Sequence, residues 1–290
     1  MINSNDWPLV AFTMLSQISV GILIGGLILY MTVKNTEAPA LETLKKILVI
    51  VAFGSMGIAL VVSFLHLASP LHAVYAMSNA GSSWLSREII LASIYLFSLL
   101  VCYASLRYNV PHRNLFSQLY LASLIIGIIL VWAMSRVYMI PTVPLWNTPA
   151  TPVAFYTTAL ILGGGGALVI INLLGARNAG IPELQTLQTT MFYLISAAVF
   201  ITLLNMLLLQ PDIGALAGSF AAPTISPWWK TAQIVFLLAG FSLLTYWFTY
   251  QMQAAGGGPS NLVYAAFVCL LVSEIAGRYL FYASFYRVGV

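Results

Sequence analysis

The sequence predicts an all-α, polytopic membrane protein built as a bundle of eight transmembrane helices. Of its 290 residues, 61% are hydrophobic and only 6% are charged, whereas a soluble domain carries about 25% charged residues. Apolar runs of about 20 residues recur along the chain, and each is long enough to cross the bilayer as a helix. The alternation of polar and apolar residues that is typical of a membrane β-barrel is absent from the sequence.

The eight predicted spans form one integral-membrane domain over residues 1–290. We expect them at residues 7–33, 44–67, 84–106, 114–135, 152–175, 187–209, 230–252 and 261–285. The first run, from Trp7, is predicted to be a span and not a signal peptide, because it is too long and lacks a basic segment in front of it.

Charged residues and tryptophans predict the orientation. An even number of spans places both termini on one side, and most of the lysines and arginines of the connections lie in 33–44, 106–114 and 175–187. The positive-inside rule therefore favours termini on the outer, periplasmic side. Most tryptophans fall on this outer face: Trp7, Trp84, Trp146, Trp228 and Trp229. They indicate either an ordinary interfacial belt or a face that docks a partner.

Two ionisable residues converge at the predicted outer face. His66 ends the second span, and Glu88 lies about one turn inside the third, four residues from Trp84 and on the same helix face. Ionisable side chains at membrane depth are costly and usually mark a site. Oxidation of a quinol releases two protons, which an imidazole and a carboxylate are suited to accept. We interpret the two residues as a quinol site; the alternative for His66 is a histidine satisfied at a helix end.

Glu88 at this depth needs either a proton or a neutralising partner. Arg87 is adjacent in sequence but points about 100° away on a helix. Better candidates are Arg136, placed directly after the fourth span, and Glu274 with Arg278 in the eighth. The last two are spaced at i and i+4 in the order that favours an ion pair, so they could instead neutralise each other and serve helix packing.

Other kinds of site are not indicated. The two cysteines, Cys102 and Cys269, lie in separate spans without a paired motif, so we expect no iron–sulfur cluster or zinc site in this chain. The three histidines, His66, His72 and His112, do not lie at one membrane depth, so a bis-histidine haem is not expected either. Any redox metal should therefore be in a partner. A net charge of +4 is too small and dispersed to indicate nucleic-acid binding.

Segments spread along the whole chain resemble one known family. They are Trp7-Pro8-Leu9, His66-Leu67-Ala68-Ser69-Pro70, Leu85-Ser86-Arg87-Glu88-Ile89, Arg136-Val137-Tyr138, Thr142-Val143-Pro144 and Glu274-Ile275-Ala276-Gly277-Arg278. In their order and spacing they resemble the DmsC-type membrane-anchor subunit of dimethyl sulfoxide reductase and related molybdenum oxidoreductases. The chain departs from the family pattern at Ala68, His72 and Arg87, where that pattern carries glycine, arginine and asparagine.

The resemblance implies a function in anaerobic respiration at the inner (plasma) membrane. Such an anchor oxidises menaquinol and passes the electrons to an iron–sulfur subunit, which feeds a molybdopterin catalytic subunit. Carried over by position, the quinol ligands fall on His66 and Glu88, and Arg136 and Arg278 match further charged positions. No metal or haem is implied for the chain itself.

Two other functions are also compatible with the sequence. One is a quinone-interacting subunit of the polysulfide- or nitrite-reductase type, which would use the same site with another terminal enzyme. The other is a proton-coupled secondary transporter, in which the glycine run Gly163 to Gly166 would break the fifth helix and Glu88 or Glu274 would be a proton site. A transporter needs charge near the midplane, whereas His66 and Glu88 cluster at one face.

Overall fold

The computed structural model describes residues 7–32, 39–64, 77–108, 113–175, 182–209, 227–253 and 260–285. Within these ranges all regular structure is helical, and eight helices are long and apolar enough to cross a membrane. The predicted fold class is therefore confirmed.

The helices are numbered in chain order. The first four are α1 (Trp7–Thr32), α2 (Pro39–Phe64), α3 (Trp84–Arg107) and α4 (Arg113–Tyr138), and a short 3₁₀ turn, Met77–Asn79, precedes α3. Helix α5 consists of three contiguous segments, namely the α-helical Ala150–Thr158, the π-helical Ala159–Gly163 and the α-helical Gly164–Gly175. Helix α6 joins Pro182–Leu204 to a π-helical end, Asn205–Leu209, and α7 (Pro227–Gln253) and α8 (Ser260–Ala283) complete the bundle.

Several helices extend beyond the apolar runs that predicted them. Helices α2 and α6 begin at Pro39 and Pro182, not at 44 and 187. Proline suits the first helical turn, where its missing N–H is not needed, and acidic residues in that turn favour the helix N-terminus. Helix α4 continues to Tyr138, so Arg136 lies in its last turn. The sequence had placed Arg136 directly after the helix, and that prediction is wrong.

Helix α1 is the centre of the bundle. The apolar window of α1 is 72% buried and that of α5 is 67% buried, against 22–39% for the other helices. Helix α1 contacts α2, α4, α5, α6 and α8. Hydroxyl groups fasten it to α2, because Ser19 Oγ donates to the carbonyl of Ala52 at 2.7 Å and Ser55 Oγ donates to that of Leu15 at 2.8 Å. Polar side chains on α1 therefore lie in the most enclosed part of the fold.

Helices α1 and α5 touch through glycine. A methyl group on Gly21 would meet the carbonyl oxygen of Ala159, and one on Gly163 would meet the backbone of Gly21. The irregularity expected at the glycine run takes the form of the π-helical turn, which ends at Gly163, and α5 continues through it without a break. Small residues allow such close approach between membrane helices.

Residues from the start of α1 and the end of α8 meet at one end of the bundle, which we call the terminal face. The ring of Tyr279 stacks on that of Trp229 with centroids 4.2 Å apart and lies 6.2 Å from that of Trp7. On the same face, the guanidinium carbon of Arg136 lies 5.4 Å from the ring centroid of Trp84. The start of α3 and the end of α4 therefore also belong to the terminal face.

Candidate functional site

Glu88 lies just below the terminal face in α3. Ser83 caps this helix, since its Oγ accepts the backbone N–H of Ser86 at 3.4 Å. The side chain of Glu88 is only 4% exposed. In the part of the chain that the structure describes, its carboxylate has neither a hydrogen bond nor an ion pair. A buried carboxylate without a partner is costly, which favours a functional role.

Arg87 serves the entrance of α3. Its Nε donates to the carbonyl of Ala80 at 2.8 Å and its Nη2 to that of Gly81 at 2.7 Å. The guanidinium carbon lies 4.5 Å from the ring centroid of Trp84. Arg87 therefore fixes the turn in front of α3. It forms no ion pair with Glu88, in agreement with its predicted orientation on the helix.

Arg136 faces the same tryptophan from α4. Its guanidinium carbon lies 5.4 Å from the ring centroid of Trp84 and 5.9 Å from that of Trp132, and Nη1 is 3.5 Å from the sulfur of Met139. Arg136 forms no ion pair with Glu88. Its charge lies at the rim of the terminal face, on aromatic surface.

Arg278 is enclosed by three helices and is only 4% exposed. Its Nη2 donates to Gln17 Oε1 on α1 at 2.9 Å and lies 3.5 Å from Thr158 Oγ1 on α5. The guanidinium carbon is 4.0 Å from the ring centroid of Phe155. Two neutral oxygens and an aromatic face therefore hold this cation.

The ion pair between Glu274 and Arg278, which their spacing made one alternative, does not form. Among the described residues the one ion pair within 4 Å joins Lys45 to Glu42, at the other end of the bundle. The hydroxyl of Thr158 instead donates to Glu274 Oε2 at 2.7 Å. Both charged side chains turn towards α5, where Thr158 is the partner they share, so the hydroxyl links them indirectly.

Two tyrosine hydroxyls connect the surroundings of Glu88 and Arg278. The hydroxyl of Tyr282 on α8 donates to that of Tyr138 on α4 at 2.7 Å, and Tyr282 also lies next to the side chain of Thr13 on α1. Tyr282 lies one helical turn after Arg278 on α8, and Tyr138 ends α4, which packs against the helix that carries Glu88. The structure thus places Glu88 and Arg278 at the same end of the bundle as this buried hydroxyl pair, while Arg136 lies on aromatic surface at the rim.

Aromatic rings enclose this polar pair. The ring of Tyr138 makes edge contacts with those of Trp146 and Phe281, at centroid distances of 5.5 and 5.4 Å. Trp146 stacks on Phe281 at 5.1 Å and donates its indole N–H to the carbonyl of Phe281 at 2.8 Å. The sequence had placed Trp146 on the outer face, either in an interfacial belt or in a surface that docks a partner. Its side chain is 7% exposed and packs against α8.

His66 lies outside the described residues, as do His72 and His112. The predicted proximity of His66 to Glu88 therefore stays a prediction. Among the residues that are described, no group of three His, Cys, Asp or Glu side chains is arranged to hold a metal ion.

Sequence reasoning missed most of the partners of these groups. Thr13, Gln17 and Thr158 are uncharged, and their contacts join residues far apart in the chain. One signal was present: Thr13 and Gln17 are polar residues four positions apart in an otherwise apolar span, which places them on one helix face.

Eight apolar helices define a multi-pass membrane protein, and the buried charged side chains Glu88, Glu274 and Arg278 lie towards one end of its bundle. Comparison with known proteins identifies its family. The sequence model of the family described as "DMSO reductase anchor subunit (DmsC)" matches residues 1–284, so the chain belongs to this family. It is accordingly a multi-pass inner-membrane protein that anchors a dimethyl sulfoxide reductase complex.

Curated relatives align over nearly the whole sequence. It is 30% identical to the YnfH subunit of an anaerobic dimethyl sulfoxide reductase of Escherichia coli, over 99% of this protein and 97% of that one. It is 27% identical to the C subunit of the anaerobic dimethyl sulfoxide reductase of the same organism, over 99% and 97%. The corresponding C subunit of Haemophilus influenzae is 26% identical, over 98% and 96%.

Proposed function

We propose that this anchor subunit binds and oxidises menaquinol near the terminal face and passes the electrons to an iron–sulfur partner subunit. That partner would feed a molybdopterin catalytic subunit. The observation that carries the proposal is Glu88, a carboxylate that is 4% exposed and has no hydrogen bond or ion pair in the described part of the chain. The aromatic rings around Tyr138 supply the apolar surface that a quinol ring requires.

Each product of the reaction has a destination in this proposal. Oxidation breaks the two O–H bonds of the quinol, releases two electrons to the partner and leaves a quinone. Glu88 accepts one proton and His66 the other. The positive charges of Arg136 and Arg278 favour negative charge on the quinol oxygen as its proton departs.

The terminal face is the outer face in this proposal, in accordance with the lysines and arginines of the opposite connections. Protons released there leave on the outer side, so the reaction need not move protons across the membrane. A reporter enzyme that works only outside the cytoplasm, fused after Val290, should be active. An inactive fusion would place the site on the inner side.

Quinol-linked turnover tests the proposed function. In membranes containing the whole complex, Glu88→Gln should lower menaquinol-driven reduction about 100-fold, because an amide cannot accept the proton. Turnover with a soluble artificial donor that reduces the partner subunits directly should stay unchanged. His66→Leu should behave in the same way.

Glu42→Gln is the matched control. It makes the same chemical change in a carboxylate that is 57% exposed and paired with Lys45 at the opposite end of the bundle. It should leave quinol-linked turnover unchanged. Normal quinol turnover in Glu88→Gln would remove Glu88 from the site.

A further inference from the structure

The hydroxyl hydrogen of Tyr138 has no acceptor among the residues that the structure describes. It accepts a hydrogen bond from Tyr282, which occupies one of its lone pairs. Among the described residues, no acceptor lies within hydrogen-bond distance of its own proton. Tyr138 is 8% exposed and ends α4, in which Arg136 contacts Trp84, the residue one helical turn before Glu88 on α3. A nearly buried donor at the same end of the packed helices α3 and α4 as the proposed proton acceptor can meet the same ligand.

A rigid scaffold holds the other side of this hydroxyl pair. Tyr282, Arg278 and Glu274 follow one another at four-residue intervals on α8, and all three are buried, at 7%, 4% and 7% exposure. Antiparallel helix α1 matches the first two positions, with Thr13 next to Tyr282 and Gln17 hydrogen-bonded to Arg278. The spacing of four residues on both helices keeps the contacts in register. Tyr282 is therefore fixed from α1 and α8 while it donates to Tyr138 on α4.

We propose that Tyr138 is a further substrate-contacting residue of the quinol site, donating its hydroxyl proton in a hydrogen bond to the quinol oxygen that Glu88 deprotonates. The inference rests on the proposed function and deepens it. When the O–H bond of the quinol breaks, its proton passes to the Glu88 carboxylate and negative charge develops on the oxygen. A donor already aimed at that oxygen stabilises it at the moment when the charge appears.

Tyr282 is a positioning residue in this arrangement. Its hydrogen bond to Tyr138 orients that hydroxyl and, by polarising it, makes it a better donor. The polar groups below Tyr282 do not conduct protons onwards, because the Arg278 side chain next in line has no acceptor and does not lose its proton. The scaffold therefore holds a hydrogen bond in place and is not a proton path.

Phenylalanine variants test the inference, since each removes one oxygen and keeps the ring. The measured quantity is the ratio of quinol-linked to artificial-donor turnover in the same membranes, which is independent of how much complex accumulates. Tyr138→Phe should lower this ratio about tenfold, the equivalent of one good hydrogen bond in the transition state. The decrease should be in kcat, with KM for the quinol changed less than twofold.

Tyr282→Phe and Tyr120→Phe complete the series. Tyr282→Phe should lower the ratio about threefold, because Tyr138 remains but loses its orientation. Tyr120 is a matched control: it is a buried tyrosine whose hydroxyl donates to the carbonyl of Leu23, away from Glu88, and its loss should leave the ratio unchanged.

The outcomes separate this inference from the proposed function. A ratio within twofold of the wild type for Tyr138→Phe, while Glu88→Gln loses quinol turnover, overturns the role of Tyr138 and leaves the quinol site in place. An equal loss in Tyr120→Phe would also overturn it, because the effect would then follow any buried hydroxyl. Full activity in Glu88→Gln would remove the proposed function itself.

Discussion

At the scale of single residues, Thr158 decides how the two deepest charges are accommodated. Glu274 and Arg278 have the spacing of a helical ion pair, yet each reaches the Thr158 hydroxyl instead. A buried charge with one hydrogen bond missing is strongly destabilised, since no water replaces the lost partner. One hydroxyl on α5 thus hydrogen-bonds two charged side chains on α8, and its removal should leave both with one hydrogen bond fewer.

Thr158→Val should therefore lower the free energy of unfolding of the subunit by about 1–3 kcal/mol, the cost of leaving a buried polar group unsatisfied. Unfolding of the purified complex in mild detergent, followed by heating or by added denaturant, measures it. Thr202→Val is the control, since Thr202 is 7% exposed and its hydroxyl donates only to the carbonyl of Ala198 in its own helix. Equal stability of the two variants would contradict the shared role of Thr158.

The residues of the site were only partly predictable from the sequence. Glu88 and Arg278 stand out because a charge in an apolar run is conspicuous. The partners Gln17 and Thr158 do not stand out, because uncharged polar residues are common in membrane helices and their contacts depend on which helices are neighbours. Tyr138 was missed for a further reason, since an aromatic residue near a membrane surface is expected whether or not it has a function.

At the scale of the helices, the contact between α1 and α5 positions Gln17 and Thr158, which hold Arg278. Gly21 and Gly163 bring the two backbones together one turn below Gln17 and Thr158. The π-helical turn begins directly after Thr158, and such turns shift the residues around them and often occur at functional sites. The length of the apolar runs predicted the helices, but their exact ends and this turn depend on local packing that a hydropathy pattern does not contain.

Gly21→Ala should destabilise the subunit by about 1–3 kcal/mol, because the added methyl group collides with the carbonyl of Ala159 and overpacks the contact. The amount of assembled complex in membranes, and its resistance to heat, report the change.

The control for this prediction is Gly57→Ala in α2, where an added methyl group meets nothing within 4 Å. Alanine there should be neutral or stabilising by up to about 1 kcal/mol, since it favours the helix. If Gly21→Ala were as stable as Gly57→Ala, the close approach of α1 and α5 would not be required.

At the scale of the whole molecule, the buried charged side chains that the structure describes lie towards one end of the bundle. Glu88, Arg136, Tyr138 and Tyr282 lie at or near the terminal face, and Arg278 and Glu274 follow below it, Glu274 roughly 12 Å deeper than Tyr282 along α8. A continuous α5 and the placement of Glu88 and Arg136 at one end favour a site that is reached from one face over a transport path that is reached from both. They suit an anchor that receives a lipid-soluble quinol and transfers its electrons to a partner.

The arrival of quinol electrons in the partner subunit tests this account most directly. Whole complex in membranes is mixed rapidly with a menaquinol analogue in the absence of a terminal acceptor, and reduction of the partner's iron–sulfur clusters is followed by electron paramagnetic resonance. We predict that Glu88→Gln slows this reduction about 100-fold, while a chemical reductant still reduces the same total of clusters. Equal rates in the wild type and in Glu88→Gln would show that quinol is oxidised elsewhere.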